Sequence, residues 1–492
     1  MIAHLPAFQV VLPLFAAPLC IVLRRGLLPW VVALVVSWAV FLIAAVQLAT
    51  VLDTGVVTYA LGGWLVPWGI EYRIDVLNAF MMVIVSGVAA VVLPYARCSV
   101  AAEIREDLHY LFYSAFLLML TGLLGMAITG DAFNLFVFIE IASLSSYALV
   151  AMGKDRRALT AAFTYLSMGT AGATFILIGI GLLYVMTGTL NMADLAERLA
   201  PVLGTRTALV AFAFIAVGIS LKLALFPLHM WLPNAYAYAP SVVSAFLAAT
   251  GTKVAIYVLL RFTYTIFGAD FAFSALPFTE VLLALAVLAM IVASATAIFQ
   301  ANVKRLLAYS SLAQVGYIVL GISMANVTGL TASIVHLFNH AATKGALFLL
   351  VGCMVYRAGS ANLDRIAGIG RRMPWTTFGF AVGGLSLIGV PLTTGFISKW
   401  YLVLGAMERG WWPAAALVLL TSLLAIAYVW RVVEAAYLRP TPDDLSDVKE
   451  APLSMLIPAW VLIAASVYFG VETSLSAGIA EQAAQFLFGA RG

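Results

Sequence analysis

The sequence has little charge: only 10% of its 492 residues are Asp, Glu, Lys or Arg, whereas a soluble domain carries about 25%. It also has no long polar region that would form a separate soluble domain. Hydrophobic residues make up 64% of the chain, and they recur in apolar stretches of about 20 residues, the length that crosses a bilayer. This pattern predicts an all-α polytopic membrane protein.

Motifs for bound groups are also missing. The three cysteines, Cys20, Cys98 and Cys353, lie far apart and form no CxxC pair, which argues against an iron–sulfur or zinc site and against a disulfide framework. There is no GxxxxGK(S/T) loop and no GxGxxG after a strand, so neither a nucleotide site nor an ATP-driven mechanism is supported. The formal charge of +4 is small. We therefore expect no cofactor, metal, nucleotide or nucleic acid.

The apolar stretches number about 14, with centres near residues 13, 39, 86, 117, 142, 174, 214, 250, 290, 316, 342, 388, 422 and 461. The first has no basic leader and no small-residue cleavage site, which indicates a retained helix rather than a signal peptide. Residues 53–75 alternate in polarity and contain paired glycines, which predicts a short hairpin over one face. Asp75 is then expected to cap the third helix. The tail after Glu472 is mildly amphipathic and is expected along the membrane interface.

Basic residues are distributed unequally between the two sides of a 14-span chain. With the N-terminus outside the cytoplasm, four of the 26 Lys and Arg residues lie within apolar segments, 16 lie in loops on the inner side, and six lie on the outer side: Arg73, Arg198, Arg206, Arg261, Arg409 and Arg491. Because cytoplasmic loops are enriched in Lys and Arg, both termini are predicted to lie outside the cytoplasm. The lack of a transit peptide and the Ala-rich composition favour a bacterial plasma membrane.

Five ionisable residues stand inside segments that are long enough to cross the bilayer: Glu140, Lys222, Lys253, Lys344 and Lys399. An ionised side chain in hydrocarbon costs several kcal/mol, and such residues usually mark ion paths. For Lys253 the alternative is snorkelling to an interface, which its position at mid-segment disfavours. The chain is therefore predicted to move charge.

Glu140 and Lys222 are expected to form a device with two states. Burial favours the neutral form of each residue, whereas a charged partner favours the ionised form. If the pair opens, the lysine tends to release a proton and the glutamate tends to take one. The alternatives are a static ion pair and a glutamate that stays protonated and only hydrogen-bonds a neighbour.

The eleventh segment, "IVHLFNHAATKGALFLLVG", places three ionisable residues on one helical face. His336, His340 and Lys344 recur every four residues, which is the spacing of a helical stripe. A stripe of this kind within hydrocarbon favours a hydrated proton wire. A satisfied core histidine and a metal bound by His336 and His340 are the alternatives, but no third ligand follows nearby.

Two segments contain a proline beside an intramembrane lysine. Pro227 lies five residues after Lys222, and Pro391 lies eight residues before Lys399. Proline removes a helix hydrogen bond, so both segments are predicted to be broken. Interrupted helices at corresponding positions indicate an internal repeat with a midplane site. Lys399 would end the line of charges near its exit, and His229 is either a gate or a residue of the interface.

Four runs of sequence resemble the D-type chains of Mrp-type multisubunit Na⁺/H⁺ antiporters: "TGDAFNLFVFIEIASLSSYALVAMGKD", "GLLYVMTGTLNMADLAERL", "LKLALFPLHMWLPNAYAYAPSVVSAFLAATGTKVAIYVLLRF" and "GVPLTTGFISKWYLV". The resemblance covers almost the whole chain. The wider family includes the antiporter-like proton-pumping subunits of respiratory complex I and of membrane-bound hydrogenases.

The resemblance implies 14 helices with two inverted five-helix repeats, formed by segments 4–8 and 9–13, and with segments 7 and 12 broken. We therefore divide the chain into an N-terminal three-helix region (1–100), two repeats (101–265 and 275–438) and a C-terminal helix with its tail (439–492). The resemblance also implies a role in proton transfer for Glu140, Lys222, Lys253, His336, His340, Lys344 and Lys399. The last position is a glutamate in some complex I subunits.

The function implied by the resemblance is proton translocation in a multisubunit monovalent cation (Na⁺)/H⁺ antiporter, a secondary transporter and not an enzyme. Its partners would be a large A-type, a small C-type and further membrane subunits. The alternative is a proton-pumping membrane subunit of a redox complex, such as a complex I-like NADH dehydrogenase or a membrane-bound hydrogenase. Partners that carry flavin and iron–sulfur clusters would distinguish it. A structural scaffold with unused charges is a third hypothesis.

Overall fold

The computed structural model describes residues 4–489, so Arg491 and the extreme ends of the two terminal regions lie outside the described part. The chain begins with two apolar helices, a β-hairpin and a third helix. Their bounds are α1 (Leu5–Val22), α2 (Leu28–Thr54), β1 (Val57–Ala60), β2 (Glu71–Ile74) and α3 (Val76–Glu103). The antiparallel register pairs Val57 with Ile74, which confirms the predicted hairpin.

Two runs of helices follow. The first run contains α4 (His109–Ile128), α5 (Ala132–Ala151), α6 (Arg157–Thr187), α7 (Met192–Leu199), α8 (Arg206–Lys222), α9 (Leu232–Tyr238) and α10 (Ser241–Leu260), which a π-helical turn extends to Ile266. The second run contains α11 (Phe278–Leu288), α12 (Ser294–Ile298), α13 (Val303–Ser323), α14 (Val327–Ala358), α15 (Pro374–Ile388), α16 (Thr394–Glu408) and α17 (Trp412–Leu438). Helices α18 (Leu453–Val471) and α19 (Ser474–Gly489) close the described chain.

The predicted number of membrane segments is confirmed. Within residues 4–489, 12 helices are long and apolar enough to cross a membrane. Two further segments are interrupted, with α8 and α9 as one pair and α15 and α16 as the other. Helix α8 ends at Lys222, five residues before Pro227, and Pro391 lies in the gap between α15 and α16. The two prolines therefore lie in the breaks, as their chemistry predicts.

The two runs repeat the same local pairings. Backbone bridges join Asp131 to Asn191 and Asn302 to Asn362, and both partners are 171 positions further along in the second run (302 − 131 and 362 − 191). Asp131 and Asn302 also cap α5 and α13 with their side chains. Five spans separate the equivalent positions, so the two bridges lie on opposite faces. The repeats are therefore inverted.

The bridges define two faces of the bundle. The face that carries β1, β2, α7 and α19 is called the hairpin face here, and the opposite face is called the arginine-rich face. The backbone N–H of Gly130 donates to the Glu71 carbonyl at 2.8 Å, so the hairpin is fixed to the turn before α5. Helix α19 packs against α3 and α14 and buries a stripe that includes Ala480 and Leu487. The tail is thus a helix packed on the bundle.

The core of the bundle is built by α10, α13 and α14, which are almost entirely buried, whereas fewer than half of the residues in the membrane-spanning parts of α1, α2 and α6 are buried. Helix α14 is central because it contacts α3, α10, α13, α15, α16, α18 and α19. A buried helix with no lipid-facing side can carry polar residues on several faces, provided that its neighbours satisfy them. This position explains why α14 holds the histidine and lysine stripe.

The second break depends on a close approach that only glycine allows. A Cβ atom at Gly395 would lie well inside the contact distance of the Ser386 carbonyl oxygen, which belongs to the backbone of α15. We expect Gly395→Ala to push α16 away from α15 and to cost about 1–3 kcal/mol or more through overpacking. Melting of the detergent-solubilised protein, followed by fluorescence, measures the loss. Gly181→Ala in α6 is the matched control, since its Cβ would meet no atom within 4 Å; equal melting of the two variants would contradict the prediction.

Candidate functional site

The first charged pair joins α5 to the end of α8. The Lys222 Nζ atom lies 3.8 Å from Glu140 Oε1 and donates a hydrogen bond of 2.8 Å to Ser143 Oγ. Within residues 4–489, that carboxylate oxygen accepts no hydrogen bond. The contact is thus an ion pair in which the lysine proton is held by the serine, and the glutamate is available for a second donor.

Exposure differs between the two partners. The Lys222 side chain is 11% exposed and the Glu140 side chain is 27% exposed. Glu140 shares its helical stripe with Phe133, Val137 and Leu144, which are exposed apolar residues. The carboxylate therefore sits at the lateral, membrane-facing side of the chain, and the lysine sits one layer deeper.

A small cavity extends from Lys222 towards the middle of the bundle. It has a volume of about 50 Å³ and is lined by Ser143, Lys222, Tyr236 and Thr252, among mainly apolar residues. A water molecule needs roughly 10–15 Å³ of such volume and two or more polar partners. The cavity therefore offers room for about three to five waters between Lys222 and the turn of α10 that carries Lys253.

Lys253 is fully buried near the middle of α10. Its Nζ atom donates to the Ala248 carbonyl and approaches Thr252 Oγ1 at 3.5 Å. Both partners belong to its own helix, and no carboxylate among residues 4–489 lies within 4.0 Å of this ammonium group. The helix that carries Lys253, α10, packs directly against α14. It connects the α8 side of the site to the α14 stripe.

His336 is bound on both ring nitrogens. Nδ1 lies 2.7 Å from Ser398 Oγ on α16, and Nε2 lies 2.9 Å from Gln314 Oε1 on α13. Because the Gln314 oxygen only accepts, Nε2 carries a proton in this arrangement, and Nδ1 accepts from the serine if the ring is neutral. The ring thus bridges two neighbouring helices and can pass a proton by exchanging its bonds.

His340 differs from His336 because neither of its ring nitrogens has a hydrogen-bond partner within the described chain. The residue is 1% exposed, and its ring centroid lies 6.2 Å from that of His336 in a stacked orientation. A buried imidazole without partners costs free energy unless water or a moving proton satisfies it. His340 is therefore the least satisfied group along α14.

The ammonium group of Lys344 binds to helix α13, and that of Lys399 binds to the backbone at the second break. Lys344 Nζ donates to Ser310 Oγ at 2.7 Å and to the Leu307 carbonyl at 3.0 Å. Lys399 Nζ donates to the carbonyls of Leu387 and Ile388 at 2.9 and 2.8 Å, and it lies 4.9 Å from the centroid of the Tyr317 ring. The carbonyls freed by the break at the end of α15 are thus bound by a lysine of α16.

His229 lies in the first break, between α8 and α9, where it is half-buried. Its ring stacks on Phe226 with 5.2 Å between centroids, and its buried Nδ1 has no hydrogen-bond partner in the described part of the chain. The position is compatible with both sequence interpretations, a gate and an interfacial residue.

Two buried ion pairs were missed by the sequence analysis. Lys304, counted among the loop cations, is 4% exposed and lies 4.0 Å from Glu103. Arg261, also counted as a loop cation, forms a 2.6 Å ion pair with Asp75. Asp75 caps α3, as predicted. Lys304 and Arg261 lie at the ends of apolar segments, where the position in the sequence indicates a loop. Their burial becomes evident only in the structure, where these helix ends are covered by neighbouring residues.

The arrangement defines a class of protein: a polytopic helical membrane subunit of the antiporter-like type, with inverted repeats, two broken helices and buried charged groups. The chain belongs to the family described as "NADH:quinone oxidoreductase/Mrp antiporter, TM", whose pattern matches residues 129–425.

Relatives within the family carry names of two kinds. The chain is 44% identical over 490 residues to a protein of Desulforudis audaxviator that is named as the N-type subunit of NADH-quinone oxidoreductase, with 96% of each chain covered. It is 29% identical over 479 residues to the D-type subunit of the Na⁺/H⁺ antiporter of Bacillus subtilis, with 97% of this chain and 96% of that protein covered. A chain in the structure of the Mrp complex from Dietzia sp. superposes with a TM-score of 0.90 at 26% identity, and 99% and 97% of the two chains are covered.

Proposed function

We propose that this chain conducts protons along a line of intramembrane groups that runs from Glu140 and Lys222, through Lys253, to the α14 stripe of His336, His340 and Lys344, and on to Lys399. The observation that carries the proposal is the Glu140–Lys222 contact of 3.8 Å, in which the lysine is held by Ser143 and the carboxylate oxygen is free to accept another proton. Intramembrane ionisable groups that pair with one another are typical of proton relays.

The Glu140–Lys222 pair supplies the switching step. While the pair is closed, each charge stabilises the other. When it opens, the ammonium group of Lys222 is left in an apolar surrounding and tends to lose its proton. The cavity beside Lys222 would take up the water that carries the proton towards Thr252 and Lys253. No catalysis takes place on this chain; the chemistry consists of proton transfer alone.

Along α14 the relay would continue through the imidazoles. His340 has two free ring nitrogens within the described chain, so it can bind a proton from water on one side and release one on the other. His336 would pass charge between Gln314 on α13 and Ser398 on α16. The line would thus contain two adjacent imidazoles: that of His340, which has no hydrogen-bond partner in the described chain, and that of His336, which is held by two hydrogen bonds.

The two repeats would each hold one half of the line. We propose repeat boundaries at 101–265 and 275–438, with 1–100 and 439–492 as flanking regions; the paired bridges 171 positions apart support them (302 − 131 and 362 − 191). Helix α14, from the second repeat, contacts α10 of the first. Transfer from Lys253 to His340 would therefore be the step between repeats.

The energy that drives proton movement through this chain would come from partner subunits. We propose first that the chain is part of a multisubunit Na⁺/H⁺ antiporter with a large A-type and a small C-type subunit, as its resemblance to the D-type antiporter chains indicates. The second candidate is a proton-pumping subunit of a redox complex, favoured by the 44% identity to a protein named as part of NADH-quinone oxidoreductase. Glu140, exposed on an apolar side of the bundle, would face such a partner in either complex.

The arginine-rich face would lie in the cytoplasm of a bacterial cell, with both termini outside, because the loop arginines are concentrated there. Protons and a monovalent cation would then exchange across the plasma membrane.

The test is transport by the chain together with its natural partner subunits in everted vesicles, followed with a pH-sensitive dye. We expect added Na⁺ to collapse a pre-formed proton gradient. Glu140→Ala and Lys222→Ala should abolish the response, whereas Glu481→Ala, a change at an exposed glutamate of α19, should leave it intact. If Na⁺ has no effect but a reduced electron donor acidifies the vesicles in a Lys222-dependent manner, the redox-complex candidate replaces the antiporter. If neither treatment moves protons through this line, the proposal is wrong.

A further inference from the structure

A second cavity opens on the hairpin face, away from the line of lysines and histidines. It has a volume of about 500 Å³ and is lined by backbone and side chains of the hairpin, α7 and the end of α10, including Arg73, Asp75, Thr129, Glu197 and Arg261. We call it the hairpin vestibule. Four of its lining residues are charged, whereas Lys222 is the one charged residue that the described chain contributes to the lining of the cavity beside it; the larger cavity is therefore the better suited to hold water and ions.

The floor of the hairpin vestibule is a buried ion pair. Arg261 Nη2 lies 2.6 Å from Asp75 Oδ1, and the two side chains are 7% and 3% exposed. The same carboxylate oxygen accepts from the backbone N–H groups of Leu77 and Asn78. Arg261 Nε donates to Tyr257 Oη at 2.9 Å, and the Tyr257 hydroxyl donates to the Ala127 carbonyl at 2.8 Å.

The ion pair stands at the end of a polar stripe that begins at the central lysine. Lys253, Tyr257 and Arg261 follow one another at intervals of four residues along α10 and its terminal turn, so they lie on the same side of the helix. Each interval advances by about 6 Å along the axis. Along this side of α10, Tyr257 and Arg261 therefore lie between Lys253 and the hairpin vestibule, which Arg261 lines.

We propose that the hairpin vestibule is the opening through which protons pass between the hairpin face and Lys253, and that the Arg261–Asp75 pair is the gate that closes it. The proposal rests on the proposed proton line, which it extends to one face of the membrane. Closed, the guanidinium stands between the vestibule and Lys253, and the Asp75 carboxylate compensates its charge. Because an arginine side chain does not release its proton, it cannot relay one, and the passage stays closed until Arg261 turns towards the vestibule.

The gate and a purely structural pin predict different results for the two partners. Arg261→Gln removes the blocking guanidinium and leaves the Asp75 carboxylate uncompensated, so it should raise passive proton leak about tenfold, the effect of one unit charge acting over about 12 Å at a local dielectric constant of about 20. Asp75→Asn leaves the guanidinium in the passage, where the Tyr257 hydroxyl still accepts from it at 2.9 Å, and removes the negative charge that attracts protons, so it should not raise the leak. A structural pin would make both variants leak or misfold alike, because each loses the same contact.

The measurement uses the complete complex in liposomes, with a potassium diffusion potential and an internal pH dye, and without added cation substrate. Arg198→Gln is the matched control, since Arg198 lies on the same face, is 47% exposed and pairs with Asp194. Cation-driven or donor-driven proton movement in the same liposomes tests the proposed function separately. Equal leak in Arg261→Gln and wild type, with normal driven transport, overturns the gate and leaves the proposed function standing.

A second measurement covers the case in which Arg261→Gln does not fold. Ala193 lines the hairpin vestibule on α7, so Ala193→Cys in a Cys98→Ala background should make driven proton movement sensitive to a bulky, membrane-impermeant thiol reagent added at the hairpin face. Gly204→Cys, on an exposed loop of the same face and outside the vestibule lining, should be modified without effect. Transport that persists after complete modification of Ala193→Cys overturns the vestibule as the opening.

Discussion

Replacement of Lys222 by Arg should abolish driven proton movement while the protein remains folded and assembled. Arginine keeps the positive charge and can still reach Glu140 and Ser143, so the ion pair of the first break is preserved. Arginine does not release its proton in proteins, so when the ion pair opens, no proton can pass from position 222 to the next group. We expect a loss of at least about a hundredfold, since the remaining routes lack the proton-releasing group.

The Lys222→Arg result separates the two interpretations of the pair. A static ion pair would be maintained by arginine, and transport would persist. A proton carrier would be lost, and transport would stop. The measurement is the initial rate of dye response in vesicles, normalised to assembled complex on a native gel. Lys449→Arg, at an exposed position after α17, is the control for a Lys-to-Arg change and should retain the wild-type rate.

Replacement of Lys399 by Glu should both destabilise the second break and stop transport. In this chain the Lys399 ammonium group donates to the carbonyls of Leu387 and Ile388, the last residues of α15. A carboxylate cannot donate to them, and it would also meet the negative end of the α15 dipole. Leaving a buried carbonyl without its charged donor costs about 1–3 kcal/mol or more of folding free energy, and both carbonyls lose their donor in this variant. The melting temperature of the solubilised protein should fall by several degrees, roughly in proportion.

Lys399→Arg then distinguishes stability from proton transfer at the same position. Arginine can donate to both carbonyls and can stack on Tyr317, so the melting temperature should stay close to that of wild type. Transport should still fail if Lys399 must release a proton. If Lys399→Glu melts normally and transports protons, the lysine is not required by the geometry of the break.

The features that the sequence predicted are those that depend on local chemistry. Pro227 and Pro391 interrupt helices wherever they fall in the bilayer, so the two breaks could be located without a structure. The His336–His340–Lys344 stripe follows from helical periodicity alone. Asp75 could be recognised as a cap because its position before an apolar segment determines that role. The resemblance to a known family added the order of the spans and their inverted repeats.

What the sequence could not provide depends on packing between distant segments. Glu140 and Lys222 are 82 positions apart (222 − 140), and their 3.8 Å contact exists because α5 and α8 both pack against α6. The partners of His336, Gln314 and Ser398, come from two other helices. Arg261 and Lys304 were assigned to loops because both stand where hydropathy falls; their burial results from the approach of α3 to the ends of α10 and α13.

The depth of the charged residues has a consequence for the electrical work of transport. Glu140 lies near the middle of α5, Lys253 near the middle of the α10 span, and His340 near the middle of α14, so the proposed line would run parallel to the membrane plane. When a unit charge crosses the whole membrane, its electrical energy changes by about 2.3 kcal/mol per 100 mV of membrane potential. When it moves parallel to the membrane, its electrical energy hardly changes. Voltage would therefore act on the short vertical steps at the two ends of the line, at the Arg261–Asp75 floor among them, and would leave the long lateral transfer between the repeats unaffected.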